Sequence, residues 1–312
     1  MKITILTPVY NDWKSASKLI EEINTIVKDL DAEFSLVIVN DASTEEKPTS
    51  ISNTENLLSI EILNIKNNQG HGRCIATGLK HIFQNKEFDY VIPMDSDGED
   101  RPEEIKSFLE YIKYDEGKPI VGERVKRSEN FIFKICYHFH KTITYVFTGH
   151  SIKFGNYTCL PKSTVEKLIN DKSTWCSFSG ALAKLEKDRS YSPSIRGTRY
   201  FGPSKMSFKN LIKHSLAIIA VFKSTVIIRS ILFYAIYLIL MADYISVVTA
   251  IPLGLIIAFG LSVVMIGRRE NLEELNNALT NIQNIDKSDL VTIFWVNEHY
   301  DPDDSDTFME KV

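Results

Sequence analysis

Between Ile231 and Ile266 the chain runs 36 residues with a single formally charged side chain, Asp243. One crossing of bilayer hydrocarbon takes about 20 apolar residues, at 1.5 Å of rise each over roughly 30 Å. The stretch is too long for one comfortable crossing and divides into two, at about 226–243 and 246–266, turning near Asp243 and Tyr244. Arg229 lies close enough to the first boundary to snorkel, Lys209, Lys213 and Lys223 precede it, and Arg268 and Arg269 follow the second. The positive-inside rule then puts both ends on the cytoplasmic face, giving an integral membrane protein, of the inner membrane in a bacterium. A pair of helices buried in a soluble domain is the competing reading of the same run. The expected division is a cytoplasmic domain over 1–205, a juxtamembrane amphipathic helix over 206–225, two transmembrane helices over 226–268 and an acidic, partly helical cytoplasmic tail over 269–312.

The first hundred residues alternate in period. Ile3 to Thr7 is a β-branched run ending in Pro8, and a helix follows with Ala16, Leu19, Ile20, Ile23 and Val27 on one face. Phe34 to Val39 reads as a second strand and Ser59 to Ile65 as a third. A helix carrying Ile75, Leu79, Ile82 and Phe83 comes next, then a strand over Tyr90 to Met94. This order predicts an α/β fold with a mostly parallel, Rossmann-like sheet, helices on both faces and ligands at the strand C-termini. Three polar segments fall at that edge: Thr7-Pro8-Val9-Tyr10-Asn11, Val39-Asn40-Asp41-Ala42-Ser43, and Asp95-Ser96-Asp97-Gly98-Glu99-Asp100. Farther on, 131–147 and 208–222 have the pattern of amphipathic helices, suited to a membrane interface or to a core.

A formal net charge of −4, from 36 basic and 40 acidic side chains, argues against a general nucleic-acid binder. Four cysteines without zinc-ligand spacing fit a reduced compartment, and His138 and His140, two apart, share no helix face. Asp95 and Asp97, one residue apart after a buried strand, can aim hard oxygens at one point, and Glu99 is spaced to join them. Such oxygens suit Mg²⁺ or Mn²⁺ on a diphosphate, although an acidic surface loop would read the same.

ILTPVYND, IVNDAST, NNQGHGRCIATGL and MDSDGEDRPEEI together resemble glycosyltransferase family 2, with the GT-A fold. Gly122-Glu123-Arg124, Phe154-Gly155-Asn156-Tyr157, the run Arg196 to Met206 and the two apolar spans narrow the resemblance to polyisoprenyl-phosphate glycosyltransferases related to dolichol-phosphate mannosyltransferase. It extends over about 1–268. It implies that Pro8, Tyr10, Asn11 and Asp41, with Asp95, bind a nucleotide diphosphate sugar. It also implies that Asp95, Asp97 and Glu99 hold a divalent cation, and that Arg124, Arg199, Ser204 and Lys205 surround the phosphate of a polyprenyl phosphate acceptor. Asp95, Asp97, Arg124 and Lys205 carry the catalytic expectation.

The activity so implied is inverting transfer of a sugar to polyprenyl phosphate, making a lipid-linked sugar for cell-surface glycan assembly. The partners are the nucleotide sugar, the lipid and the membrane, with no nucleic acid and with room for a homo-oligomer. Two alternatives stand beside it: a family 2 transferase acting on a hydroxyl of a membrane-bound glycan, and an inactive binding or scaffold protein of the same fold.

Overall fold

The structure is a computed structural model that describes residues 1–48, 54–126, 141–203, 208–244, 246–289 and 296–299. β1 (Lys2–Val9) is buried on both faces beyond Lys2, as a central parallel strand must be. α1 (Trp13–Val27) buries Ala16, Leu19, Ile20, Ile23 and Val27, the predicted stripe. β2 (Glu33–Asn40), β3 (Ser59–Ile65), α2 (His71–Asn85) and β4 (Tyr90–Pro93) follow, then α3 (Ile105–Tyr114) and β5 (Ile120–Lys126). Next come β6 (Phe154–Pro161), α4 (Lys162–Asn170), α5 (Ser173–Cys176), α6 (Phe178–Leu185) and β7 (Ser190–Ile195). The chain continues with α7 (Phe208–Ala220), α8 (Lys223–Leu240), α9 (Val247–Gly267), α10 (Leu272–Asn276), β8 (Ile282–Asp289) and β9 (Val296–His299).

The described strands form one sheet in the order β7-β5-β6-β4-β1-β2-β3-β8-β9. The block β4-β1-β2-β3 is parallel, and β6 and β8 join its two edges antiparallel. α1 and α3 pack on one face, with Leu19, Ile20, Ile105 and Phe108 against Ile3, Ile5, Leu36 and Ile38. α2, α4, α6 and the end of α7 cover the other, around Leu6, Val37, Val39 and Leu63. The mostly parallel GT-A sheet expected from the sequence is therefore present, with the strand C-termini collecting the polar loops on one edge.

Two features differ from the sequence reading. The segment after residue 269, expected as a separate tail, supplies β8, which pairs with β3 from Ser59↔Asp289 to Ile65↔Ile282. Ile282 and Ile285 are its buried contributions, and the pairing covers an edge that β3 would otherwise present to solvent. α7, read as an amphipathic helix over 206–225, divides along its length. Lys209, Ile212 and Lys213 are exposed, but Ala217, Ile218, Ile219 and Ala220 are core. Of the amphipathic run at 131–147, only 141–147 lies among the described residues, and it belongs to a helix over 141–148.

α8 and α9 are long and apolar enough to cross a membrane, with mean hydropathy of 1.6 and 2.5 over their best 18-residue windows. Their outward side chains have no cover from the protein, Ile228, Ile231, Ile239 and Leu255 among them. The base of the hairpin is tied in. Val226 and Val263 are fully buried, and Lys223 pairs with Glu270. Arg229 donates to the Val146 carbonyl at 2.7 Å, capping the helix over 141–148. Phe147 packs between Phe233 and Phe259, with ring centroids 5.4 and 4.6 Å away.

Candidate active site

The loop after β1 is fixed by Asn11. This residue sits at φ +51°, its side-chain oxygen accepts from the backbone N–H groups of Thr44 and Glu45 at 2.7 and 3.0 Å, and its own N–H donates to Ser43 Oγ. Asparagine tolerates this left-handed geometry better than most residues do. Tyr10 is left projecting, 48% exposed at the rim. Pro8, expected at the nucleotide, is buried inside β1 opposite Val39. Its missing N–H falls on the β4 side, where the ladder has already ended at Leu6↔Pro93.

Asp41 is also turned inward. It is 3% exposed, and its carboxylate accepts from the N–H groups of Gln69 and Gly70 at 2.7 and 2.9 Å. It therefore positions the loop that opens α2 instead of offering a free oxygen to a nucleotide. Burial, opposed by those hydrogen bonds, raises its carboxyl above the ordinary range. On the outer side of this loop lies a polar cavity of about 410 Å³, lined in part by Asn40, Ser43, Lys47, Asn64, Lys66 and Asn284. Two of its lining residues share the buried Asp286 of β8, which accepts from Asn64 at 2.6 Å and pairs with Lys47.

The centre of the edge is the loop after β4. Asp95 Oδ1 lies 3.0 Å from His71 Nε2 and 3.4 Å from Asn156 Nδ2, so α2 and β6 both reach it. Its backbone N–H donates to buried Asp100, whose other oxygen is 3.7 Å from Arg124 on β5. Three acidic groups thus crowd one loop. Burial and the Asp95 charge push the Asp100 carboxyl up, and burial and the same charge raise Asp97. Asp95 goes the other way: burial would raise it, but the charge and hydrogen bond of His71 outweigh that and hold it well below the usual carboxylate range.

The segment 196–203 crosses this loop as a strap. Gly197 N–H donates to the Glu99 carbonyl and Tyr200 N–H to the Asp97 carbonyl, both at 2.8 Å. A Cβ on Gly197 would stand 2.2 Å from the Gly98 carbonyl oxygen, so only glycine permits the contact. Arg196 pairs with Glu99, and Arg199 bridges Asp97 Oδ2, at 2.6 Å, to Asp12. Arg199, expected at an acceptor phosphate, is thus held by two carboxylates, and Glu99, expected on a cation, is held by an arginine. The crowded acids explain both: strap guanidinia compensate charges that would otherwise repel.

Among the described residues no three His, Cys, Asp or Glu side chains cluster as a ready metal site. The hard oxygens of Asp95 and Asp97, in a loop made acid-rich by Asp100, nevertheless have the donor chemistry of Mg²⁺ or Mn²⁺. Ser204 and Lys205 lie outside the described residues. Asp12, His71, Asp100, Asn156 and Arg196 join the centre; all five lie in segments singled out in the sequence, and none was named there as a site residue. His71 stands directly after Gly70, at the start of a helix aimed at the ligand edge.

The model for Glycosyl transferase family 2 matches residues 4–174, more than half of the chain. Among solved structures the fold is similar to glucosyl-3-phosphoglycerate synthase from Mycobacterium tuberculosis with Mn²⁺, UDP and glucosyl-3-phosphoglycerate. That likeness has 13% identity and a TM-score of 0.50, covering 72% of this chain and 79% of that one. The same enzyme with Mn²⁺, UDP-glucose and phosphoglyceric acid gives 12% identity and a TM-score of 0.51, with the same coverage. S. aureus TarS 1–349 with UDP-GlcNAc is 14% identical over 90% of this chain and 89% of its own, at a TM-score of 0.49. The two likenesses to the synthase speak to the fold alone, whereas the family match covers both the parallel strand block and the carboxylate loop: this chain belongs to glycosyl transferase family 2.

Proposed function

We propose that the protein transfers a hexosyl group from a nucleotide diphosphate sugar to polyprenyl phosphate at a membrane surface, with inversion. The observation that carries this reading is the joining of an acidic loop after β4 and a basic strap at one sheet edge, on a chain that continues into two exposed apolar helices. Tyr10 offers an exposed ring on which a base can stack, and Asn11 and Asp41 hold the loops around it. The synthase of similar fold was crystallised with UDP, which supports a nucleoside diphosphate donor.

A divalent cation on Asp95 and Asp97 would neutralise charge developing on the leaving diphosphate. The acceptor oxygen belongs to a phosphate monoester with a second pKa of about 6, already mostly ionised at neutral pH, so no strong base has to remove a proton. Arg124, Ser204 and Lys205 are assigned to that anion, and their work is alignment. His71 and Asn156 orient the Asp95 carboxylate.

The test incubates the detergent-solubilised protein with radiolabelled nucleotide sugars, polyprenyl phosphate and Mn²⁺ or Mg²⁺, and then extracts lipid. A chelator-sensitive lipid-linked sugar is expected. Asp97→Ala should lower its formation by about 100-fold or more while the melting transition stays in place. Label on a glycan hydroxyl instead of the lipid phosphate would replace the acceptor, and full Asp97→Ala activity in chelator would reject the cation.

A further inference from the structure

The strap brings its two arginines to the acidic loop in register: Arg196 meets Glu99 and Arg199 meets Asp97. Arg199 is the more committed of the two. Its guanidinium sits between Asp97 and Asp12, with the three side chains 13%, 19% and 13% exposed, and its Nε donates to the Phe201 carbonyl at 3.0 Å. The planar guanidinium gives one nitrogen to each carboxylate, and such charge-assisted hydrogen bonds strengthen as water is excluded.

The backbone makes the placement specific. Two strap N–H groups bond the carbonyls of Asp97 and Glu99, and Gly98, at φ +89°, lies under the Tyr200 ring, where a Cβ would stand 2.7 Å from ring carbons. Tyr200 is itself tethered through its hydroxyl to Glu22 of α1, and Lys14 of the same helix stands over the Phe201 ring at 4.2 Å. The strap is therefore anchored on both sides of Arg199, and the arginine is delivered to Asp97 instead of meeting it by chance.

We propose that Arg199, held between Asp12 and Asp97 and supported by Arg196 on Glu99, competes with the divalent cation for the acidic loop, so that cation binding displaces the strap. This rests on the reading that Asp95 and Asp97 hold that cation. Arg199 holds Asp97 Oδ2 while the Glu99 N–H donates to Oδ1, so both oxygens are engaged, and a divalent ion arriving there meets a fixed positive charge that weakens its binding. Asp12 and Arg196 become positioning residues for the cation site, although neither reaches the reacting atoms.

The readout is Mn²⁺ binding itself, followed by the spin-resonance signal of free aqueous Mn²⁺ added to the full detergent-solubilised chain without nucleotide. Arg199→Gln should bind Mn²⁺ about tenfold more tightly than the wild type, equivalent to about 1.4 kcal/mol. Arg199→Lys, a point charge without the fork, should fall between them. Equal or weaker binding by Arg199→Gln, or no binding by either protein, overturns the competition. Asp97→Ala separates the two ideas. It should lose Mn²⁺, and if it binds like the wild type, the cation assignment has failed along with everything built on it. A second measurement needs no variant: Mn²⁺ should speed tryptic cleavage of the wild type after Arg196 and Arg199, and an unchanged rate would count decisively against displacement of the strap.

Discussion

Glu61 and Asp97 are both shielded carboxylates with cationic neighbours, yet the protein treats them oppositely. Glu61, 13% exposed on β3, accepts from His81 and Lys86 of the α2 end, both at 2.9 Å. Burial would raise its carboxyl, but the His81 hydrogen bond and the Lys86 charge outweigh burial and bring it to about 2. Asp97, beside Asp95 and Glu99, is raised instead. The first arrangement stabilises the fold; the second is kept at a stability cost, as groups that handle ligands often are. Because the folded Glu61 lies below its ordinary value of 4.5, its contribution is full above that pH and is lost as pH falls from 4.5 toward 2. Glu61→Gln should therefore lower unfolding free energy by about 2–3 kcal/mol at pH 7. Denaturant unfolding at several pH values should show that gap closing through this window, and a gap as large at pH 3 as at pH 7 would contradict the assignment.

At the scale of elements, α2 matters most, because its first turn carries Gly70 and His71 while its middle lies hard on the sheet. A Cβ at Gly78 would stand 2.3 Å from Leu6 Cδ1 and 3.1 Å from Val39 Cγ2. Gly78→Ala should lower stability by about 1–3 kcal/mol despite the better helix propensity of alanine. It should also weaken nucleotide binding as the helix start shifts. A melting temperature at or above that of the wild type would show that the helix has room. The helices and strands of this block were readable because their apolar residues keep period: the α1 stripe, and the near-continuous runs of β1 and β2. β8 was not readable, since Gln283, Asn284, Asp286 and Lys287 break any alternation, and only pairing with β3 makes the segment a strand. The site divided the same way. Asp95, Asp97 and Asn11 were visible as loop residues after strands, but the partners of Arg199 lie 102 and 187 positions away in sequence, and no local pattern encodes that.

At the scale of the molecule, the question is where the hairpin goes. About a turn of α8 and the far end of α9 belong to the core through Val226 and Val263, and the remainder exposes isoleucine and leucine that water would not tolerate without cover. The expected outcome of fractionation is that the full chain sediments with membranes, resists alkaline carbonate and leaves only with detergent. Recovery in the soluble fraction would return α8 and α9 to a protein partner or a second copy.

The strand that seals β3 is made more than two hundred residues after it, and after both apolar helices. At about 5–20 residues per second, the ribosome leaves the β3 edge waiting roughly 10–45 s for β8. During that interval the nascent domain carries an open edge able to pair with a neighbouring chain. A polypeptide released early, within the hairpin, never receives β8 or β9. A covered β3 edge thus marks a chain whose hairpin has been synthesised in full, and an unfinished chain keeps that edge open to a stray strand.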